Sequence, residues 1–312
     1  MTELLADISA RIRGVRQLET VISAMRSIAA ARAQQSRLLM EGVDAHAGVV
    51  ARAIAQALRL LPDEPALPPA RHAARAGLVL FCAEQGFAGG YTSRLLDEAV
   101  PLIAAPMVAG ADVFLVGSRG AALAGQRRLA LAWQTPMAAH ADGVPAVAGR
   151  VAAALFDRLP RDGLERLDMM FAAWSPGRGL ELCRRSLLPL DRSAFAEVRN
   201  GIAPLITLPA AVLLARLAEE YVHAELCRAA MHAFAAENEA RVQTLAAARS
   251  NITAMLDRLQ ARERRVRQDT ITAEVVELGA ATETLRGVAP RPTPRAARAF
   301  ARRALPLDPP RA

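Results

Sequence analysis

The sequence predicts an α/β domain flanked by a long antiparallel coiled coil of its N- and C-terminal helices. Three observations predict this fold class. Residues 210–278 contain neither Gly nor Pro, so they can form one helix of roughly 100 Å at about 1.5 Å per residue. The first 25 residues place apolar side chains at heptad spacing. The middle of the chain alternates short apolar runs with amphipathic stretches, which is typical of an α/β layer with a mostly parallel sheet.

The N-terminal coiled-coil helix is predicted over residues 1–61. Its apolar positions are separated by threes and fours, which is the spacing that keeps one seam facing a partner helix. These positions are Leu4, Ile8, Ile12, Val15, Leu18, Ile22 and Met25. Thr2 can cap the helix start. Because a lone helix cannot bury this seam, we expect the C-terminal helix to cover it.

A Pro-rich, polar linker is predicted over 62–76, and a Rossmann-like α/β domain over 77–206. Within the domain, short apolar runs bounded by turn residues predict strands, and longer amphipathic stretches predict helices. The predicted strands are Gly77–Cys82, Asp112–Gly117, Leu167–Trp174 and Gly179–Leu188, and the predicted helices are Thr92–Ala104 and Val144–Leu159.

The C-terminal coiled-coil helix is predicted over 207–286, with the apolar pattern ending at Gly279. Arg249 and Glu263 fall on its projected seam and interrupt it. Four acidic residues on this helix are expected to be solvated: Glu219, Glu220, Glu237 and Glu239. Residues 287–312 are rich in Pro and Arg, a composition that predicts a disordered tail.

The composition restricts the function without choosing one. The net charge is +8, and all 39 basic residues are Arg. This charge suits an acidic protein partner, an anionic membrane surface or nucleic acid. Cys82, Cys183 and Cys227 show neither disulfide nor zinc spacing, so we expect no metal site. The chain contains no apolar stretch long enough to span a membrane, and its first residues do not resemble a signal peptide.

Two loops could bind phosphate, but turns explain them better. Residues 84–91 (EQGFAGGY) follow a predicted strand and precede a helix, where nucleotide-binding α/β folds place phosphate loops. The glycine spacing matches neither dinucleotide nor P-loop motifs, and there is no Lys to reach a phosphate. The same holds for Gly117–Gly120. No catalytic constellation is present, so we expect no cofactor and no active site.

The ordered motifs of this chain resemble those of the gamma subunit of F-type ATP synthases, as in a divergent member from an alternative ATPase operon. They span about residues 3–285 in the family's order. The matching segments are Ile8–Arg32, Gly86–Gly90, Val116–Gly120, Leu187–Leu190, Glu220-Tyr221, Ala235–Arg241, and Arg267-Gln268 with Ile271, Thr272 and Glu274. Ala273 and Val276 stand where the family often has Gln and Thr.

The resemblance implies a rotating central stalk that couples ion flow to ATP synthesis or hydrolysis in a hexamer of alpha and beta subunits. It implies an epsilon subunit and a c-subunit ring as further partners, which contact the foot of the stalk, where the α/β domain lies. The implied contacts with the hexamer are Met25, Arg26, Arg249, Glu263, Arg267, Gln268 and Glu274. The implied contacts with the c ring and epsilon are Tyr221 and Glu225. The implied location is peripheral, on the cytoplasmic face of the bacterial inner membrane.

Two other functions stay open from the residues alone. The positive charge and Arg-rich tail would also suit a basic coiled-coil scaffold or a nucleic-acid-binding protein. However, the Arg clusters lack the interleaved aromatic side chains that nucleic-acid readers commonly use. A nucleotide-binding α/β enzyme rests only on the loop at Gly86–Gly90.

Overall fold

The computed structural model describes residues 2–60, 75–104, 110–190, 195 and 205–288. Its internal contacts divide the chain into two compact units. The terminal unit comprises residues 1–18 with 252–312, and the main unit comprises residues 19–251. Two long helices, α1 (Thr2–Leu58) and α5 (Ala210–Val288), contribute residues to both units. The two units are described separately below.

The main unit contains a five-stranded sheet in the order β3-β2-β1-β4-β5. Strands β1 to β4 run parallel to their neighbours, and β5 pairs antiparallel with β4 as a hairpin. The strands are β1 (Arg75–Phe81), β2 (Asp112–Val116), β3 (Trp133–Thr135), β4 (Leu164–Ser175) and β5 (Gly179–Leu188). The intervening helices are α2 (Tyr91–Ala104), α3 (Ser118–Gln126) and α4 (Val144–Asp162). The predicted α/β class with long terminal helices is confirmed.

Each face of the sheet is covered by helices, because successive side chains of a strand point to opposite faces. On one face, Leu78 and Leu80 of β1 pack with Leu95 and Leu96 of α2. On the other face, Phe81 and other side chains of the sheet pack with the apolar sides of α4 and α5. The α4 and α5 members include Val147, Val151, Leu226, Met231 and Phe234. Helix α5 is therefore part of the core of the α/β domain.

Helices α1 and α5 run antiparallel in the main unit. Three contacts show this, because residues later in α1 pair with residues earlier in α5. A Glu19 carboxylate oxygen lies 4.0 Å from Arg249 Nε. Further along α1, Arg37 pairs with Glu239, and His46 Nε2 lies 3.0 Å from Glu220 Oε1. Apart from Ala55, the buried positions of α1 here follow steps of three, four or their sums, as a heptad seam requires. They include Ile22, Ala29, Ala33, Ser36, Ala47, Val50, Ile54 and Ala57.

The terminal unit buries two β-branched side chains of α1, Ile8 and Ile12, and two apolar side chains of α5, Ile252 and Leu256. The Ser9 hydroxyl donates a hydrogen bond of 2.7 Å to Glu263 Oε1. This contact gives a polar partner to the seam position that interrupts the apolar pattern of α5.

Several predicted bounds need correction. Helix α5 begins at Ala210 and ends at Val288, whereas the predicted helix spans 207–286. It continues beyond Gly279, where the apolar pattern ends, because one exposed Gly costs a helix only about 1 kcal/mol. Leu18 is 49% exposed, and its neighbour Glu19 is half-buried, since it pairs with Arg249. The predicted linker and tail lie largely outside the described residues, although β1 already begins at Arg75. The domain division stays a prediction. Among the described helices, none is long and apolar enough to cross a membrane.

Candidate functional site

The loop after β1 is attached to α5 by a carboxylate. The backbone N–H of Glu84 donates to Glu237 Oε2 at 3.1 Å, and that of Gln85 donates to Glu237 Oε1 at 3.1 Å. This loop follows a parallel strand at the sheet's carboxyl edge, where α/β folds bind anionic ligands with free backbone amides. Here an internal carboxylate binds those amides.

An arginine one turn further along α5 completes this contact. Arg241 Nε donates to the Gly86 carbonyl oxygen at 3.1 Å, Nη1 donates to Asn238 Oδ1 at 3.0 Å, and Nη2 pairs with Glu237. Glu237, Asn238 and Arg241 are only 3%, 1% and 4% exposed. Because each buried polar group has a partner, the cluster avoids the cost of an unsatisfied buried charge. We call these three residues the α5 socket.

The Glu84 side chain extends the network across the sheet edge. Its carboxylate accepts hydrogen bonds from the Ser118 N–H (2.9 Å) and hydroxyl (2.7 Å), and from the Met137 N–H (2.8 Å). Ser118 starts α3 after β2, and Met137 follows β3. Backbone donors after three strands are therefore bound by two internal carboxylates. This arrangement favours a structural turn over the phosphate-binding alternative.

The prediction that Glu237 and Glu239 are solvated is wrong. Glu237 lies in the α5 socket, and Glu239 is buried beside Arg37 of α1. The Arg37 guanidinium also lies 5.2 Å from the ring centroid of Trp174, at the end of β4. Both carboxylates can be buried because each has an arginine partner. Sequence reasoning missed the socket, although the i, i+4 spacing of Glu237 and Arg241 among alanines was a usable signal.

Cys82 lies beneath this network. It is 1% exposed, and burial raises the pKa of its thiol to about 12, with the nearby negative charge of Glu237 as the second cause. Because the thiol ionises near pH 9.0 when it is not buried, the unfolded chain ionises first. The contribution of Cys82 to stability is therefore unaffected below about pH 9.0 and falls as pH rises toward about 12.

This burial predicts selective thiol labelling. With iodoacetamide at pH 8, we expect the half-exposed Cys183 to react at least about tenfold faster than Cys82, because the thiolate is the nucleophile and Cys82 is both protonated and buried. Mass spectrometry of tryptic peptides over time measures both rates. In urea the two cysteines should react alike. Equal rates in the folded chain would contradict the buried position of Cys82.

The two residues predicted to face the c ring and epsilon contact other parts of this chain. Tyr221 packs edge-on against Phe195, with ring centroids 5.2 Å apart, and burial raises its pKa. Glu225 is buried and lies 2.6 Å from Arg228 Nη2 and 3.6 Å from Arg185 Nη1. The pKa of Glu225 is raised, mainly because the carboxyl group is buried. The positive charge of Arg185 opposes this shift, and the negative charge of Asp44 adds to it. Their role toward a partner stays a prediction.

Three residues predicted to contact the hexamer lie in the main unit. Met25 and Arg26 are half-buried on α1. Met25 lines a cavity of about 160 Å³ together with Gln85 and with Asn238 and Arg241 of the socket. Arg249 is exposed and lies near Glu19. The structure thus brings Met25 close to the α5 socket, and the contact of these three residues with the hexamer stays a prediction.

The other four residues predicted to contact the hexamer lie in the terminal unit. Glu263 is half-buried and accepts the hydrogen bond from Ser9. Arg267, Gln268 and Glu274 are exposed on α5. Further along α5, four large apolar side chains are exposed as well: Ile271, Val275, Val276 and Leu278. This part of α5 therefore presents both apolar and charged groups on its surface.

A family model described as ATP synthase matches residues 4–285. The match covers both long helices, up to Leu285, and the whole α/β sheet between them. The chain belongs to the ATP synthase family that this model describes. Within the described residues, no group of three His, Cys, Asp or Glu could hold a metal ion.

Similar proteins agree with this assignment. The ATP synthase gamma chain of Frankia casuarinae is 28% identical over 278 residues, which cover 86% of this chain and 93% of the relative. The gamma chain of Syntrophus aciditrophicus is 24% identical, and the match covers 90% of this chain and 98% of the relative. A chain of the Euglena gracilis mitochondrial ATP synthase (OSCP/F1/c-ring, rotational state 3) is 13% identical and has a TM-score of 0.62. That match covers 94% of this chain and 99% of the Euglena chain.

A second solved structure gives the same fold. A chain from the central stalk/c-ring structure of the Tetrahymena thermophila mitochondrial ATP synthase is 16% identical with a TM-score of 0.53, and covers 73% of this chain and 99% of that chain. Both solved structures therefore share the fold of this chain, and the relatives that share its sequence are ATP synthase gamma chains. They give no support to a basic scaffold or a nucleic-acid-binding protein.

Proposed function

We propose that this chain is the central-stalk subunit of an F-type ATP synthase, that it turns within a hexamer of alpha and beta subunits, and that it couples ion flow through a c-subunit ring to ATP synthesis or hydrolysis. The family match over residues 4–285 is the observation that supports this most strongly. The chain has no active site of its own in this proposal, because its role is mechanical. The internal carboxylates on the loop after β1 agree with that role, since they occupy the amides that a phosphate would need.

Stiffness follows from the sequence of α5. Residues 210–278 contain no helix breaker, and the small side chains of the α1 seam let neighbouring helices approach closely. Ala29 and Ala33 are almost completely buried there. A rod that transmits torque must resist bending, so a continuous helix supported along one side suits the task.

Partner contacts are proposed at the residues that the resemblance implies. Arg267, Gln268 and Glu274 are exposed on α5, where they can reach the hexamer together with Met25, Arg26, Arg249 and Glu263. Tyr221 and Glu225 are assigned to the foot that faces epsilon and the c ring. Because the Glu225 carboxylate is engaged by Arg185 and Arg228, it acts there by positioning these two arginines. The chain is held at the cytoplasmic face of the bacterial inner membrane through the complex.

Co-expression of the full chain with the alpha and beta subunits of its own organism tests this function. We expect one stable complex with ATPase activity that neither the full chain alone nor the alpha and beta subunits without it reproduce. A lone chain that is stable but has no affinity for these subunits would refute the proposal. A steeply salt-dependent affinity for DNA without partners would instead favour the nucleic-acid-binding alternative.

A further inference from the structure

We infer that the α5 socket, Glu237 with Asn238 and Arg241, transmits torque between the α/β domain and α5. This inference rests on the proposed rotary function. The socket holds the backbone of the loop rather than its side chains: two amides on Glu237 and one carbonyl on Arg241. A force on the loop is therefore passed directly to the main chain of the sheet.

The chemistry is that of an anion site whose ligand belongs to the same chain. Consecutive backbone N–H groups after a parallel strand favour negative charge. The bidentate carboxylate of Glu237 supplies that charge from α5, and Arg241 neutralises it from one turn away. Charge-assisted hydrogen bonds are about twice as strong as neutral ones, and burial strengthens them further.

The hydrogen-bond network continues beyond the loop. From Glu84 the network reaches the Ser118 N–H after β2 and the Met137 N–H after β3. On the other side of the loop, the Tyr91 hydroxyl donates to Phe81 O of β1 at 3.1 Å, and it lies 3.4 Å from Ala233 O of α5. One polar network therefore joins α5 to the ends of three strands. Apolar packing could slide under load, whereas these directional bonds resist sliding.

Glu237→Gln is the sharpest variant, because it removes the charge and changes little else. The two amides contact different oxygens of Glu237. A Gln side chain in the same position presents its carbonyl oxygen to one amide and its own NH₂ to the other donor. Arg241→Lys keeps the positive charge but cannot contact Gly86 O, Asn238 and Glu237 at once. The exposed pair Arg178 and Glu181, on the β4–β5 hairpin, provides matched controls: Glu181→Gln and Arg178→Lys.

Hydrogen exchange of the isolated full chain tests the attachment itself. In Glu237→Gln we expect the amides of Glu84 and Gln85 to exchange about tenfold faster or more than in the wild type, because each loses a charge-assisted bond. Exchange at Leu80 and Leu115 in the sheet centre should stay unchanged, which shows that the domain is folded. Arg241→Lys should give a smaller increase and the control variants none. Unchanged exchange at Glu84 and Gln85 would overturn the socket.

The assembled complex tests the torque. In Glu237→Gln we expect ATP hydrolysis to persist while ATP-driven ion pumping per ATP falls several-fold, and Arg241→Lys should lie between this variant and the wild type. A merely structural role would lower both rates together or neither. Faster exchange with an unchanged pumping-to-hydrolysis ratio would overturn the inference. If the wild-type chain fails to assemble with alpha and beta subunits, the proposed function fails and the torque role with it, while the exchange experiment still decides the attachment.

Discussion

Ile252→Pro is expected to abolish coupling between ATP hydrolysis and ion pumping while the α/β domain stays folded. Ile252 is buried inside α5. Proline there removes one helical hydrogen bond and clashes with the preceding turn, at a cost of about 3 kcal/mol or more. The break lies beyond the last α5 residue of the socket, Arg241, so the contacts between α5 and the sheet are untouched.

Two spectroscopic signals separate the helix from the domain. Both tryptophans lie on the sheet, Trp133 in β3 and Trp174 in β4, so the urea transition followed by fluorescence reports on the α/β domain. We expect its midpoint to stay unchanged, while far-UV circular dichroism shows lost helix and pumping by the assembled complex is lost.

The matched control is Ala210→Pro, at the first residue of α5. Proline is favoured at this position because its missing N–H would be unpaired in any case, so pumping should persist. Normal ATP-driven pumping by Ile252→Pro would contradict the stalk function.

The sequence predicted the positions of helices and strands better than the order of the strands in the sheet. Strand β5 begins and ends where the turn residues placed it, at Gly179 and Leu188, and α2 begins one residue before the prediction, at Tyr91. Strand β3 was not predicted, because its three residues are too short to show a period. The strand order depends on contacts between distant segments, which periodicity cannot reveal.

The α1 seam shows why a periodic pattern leaves a residual ambiguity. Leu18 and Glu19 are adjacent, and steps of three and four from Val15 reach both positions. The pattern favoured Leu18 because it is apolar. In the structure Glu19 is the half-buried one, since Arg249 on α5 provides an opposite charge. A partner's charge thus decided between two positions that the periodicity of α1 left open.

The socket was missed for a related reason. Glu237 was assigned to solvent because a helix made of charged and small residues has no obvious buried side. Its burial depends on the loop at Glu84, which lies more than a hundred residues earlier. The family resemblance implies contacts with partner subunits, but it did not reveal this internal one.

Gly117→Ala is expected to destabilise the α/β domain by about 3 kcal/mol or more, from backbone strain and overpacking together. Gly117 follows β2 with φ of 113°, a conformation that residues with a side chain rarely adopt. A Cβ atom there would lie 2.5 Å from the Cys82 carbonyl oxygen and 2.8 Å from that of Ala83. Both obstacles are main-chain atoms at the end of β1, so the clash cannot be relieved by a rotamer change.

The consequence should reach the loop held by α5, because Gly117 immediately precedes Ser118, which donates to Glu84. A shift of this turn away from Cys82 would pull that donor from the Glu84 carboxylate. Gly125→Ala is the matched control: nothing lies within 4 Å of its Cβ position near the end of α3, and alanine favours a helix over glycine by about 0.5–1 kcal/mol. Urea unfolding followed by tryptophan fluorescence measures both variants. We expect a large loss of unfolding free energy for Gly117→Ala and none for Gly125→Ala. Equal stability of the two would mean that β2 and β1 do not approach as closely as the geometry requires.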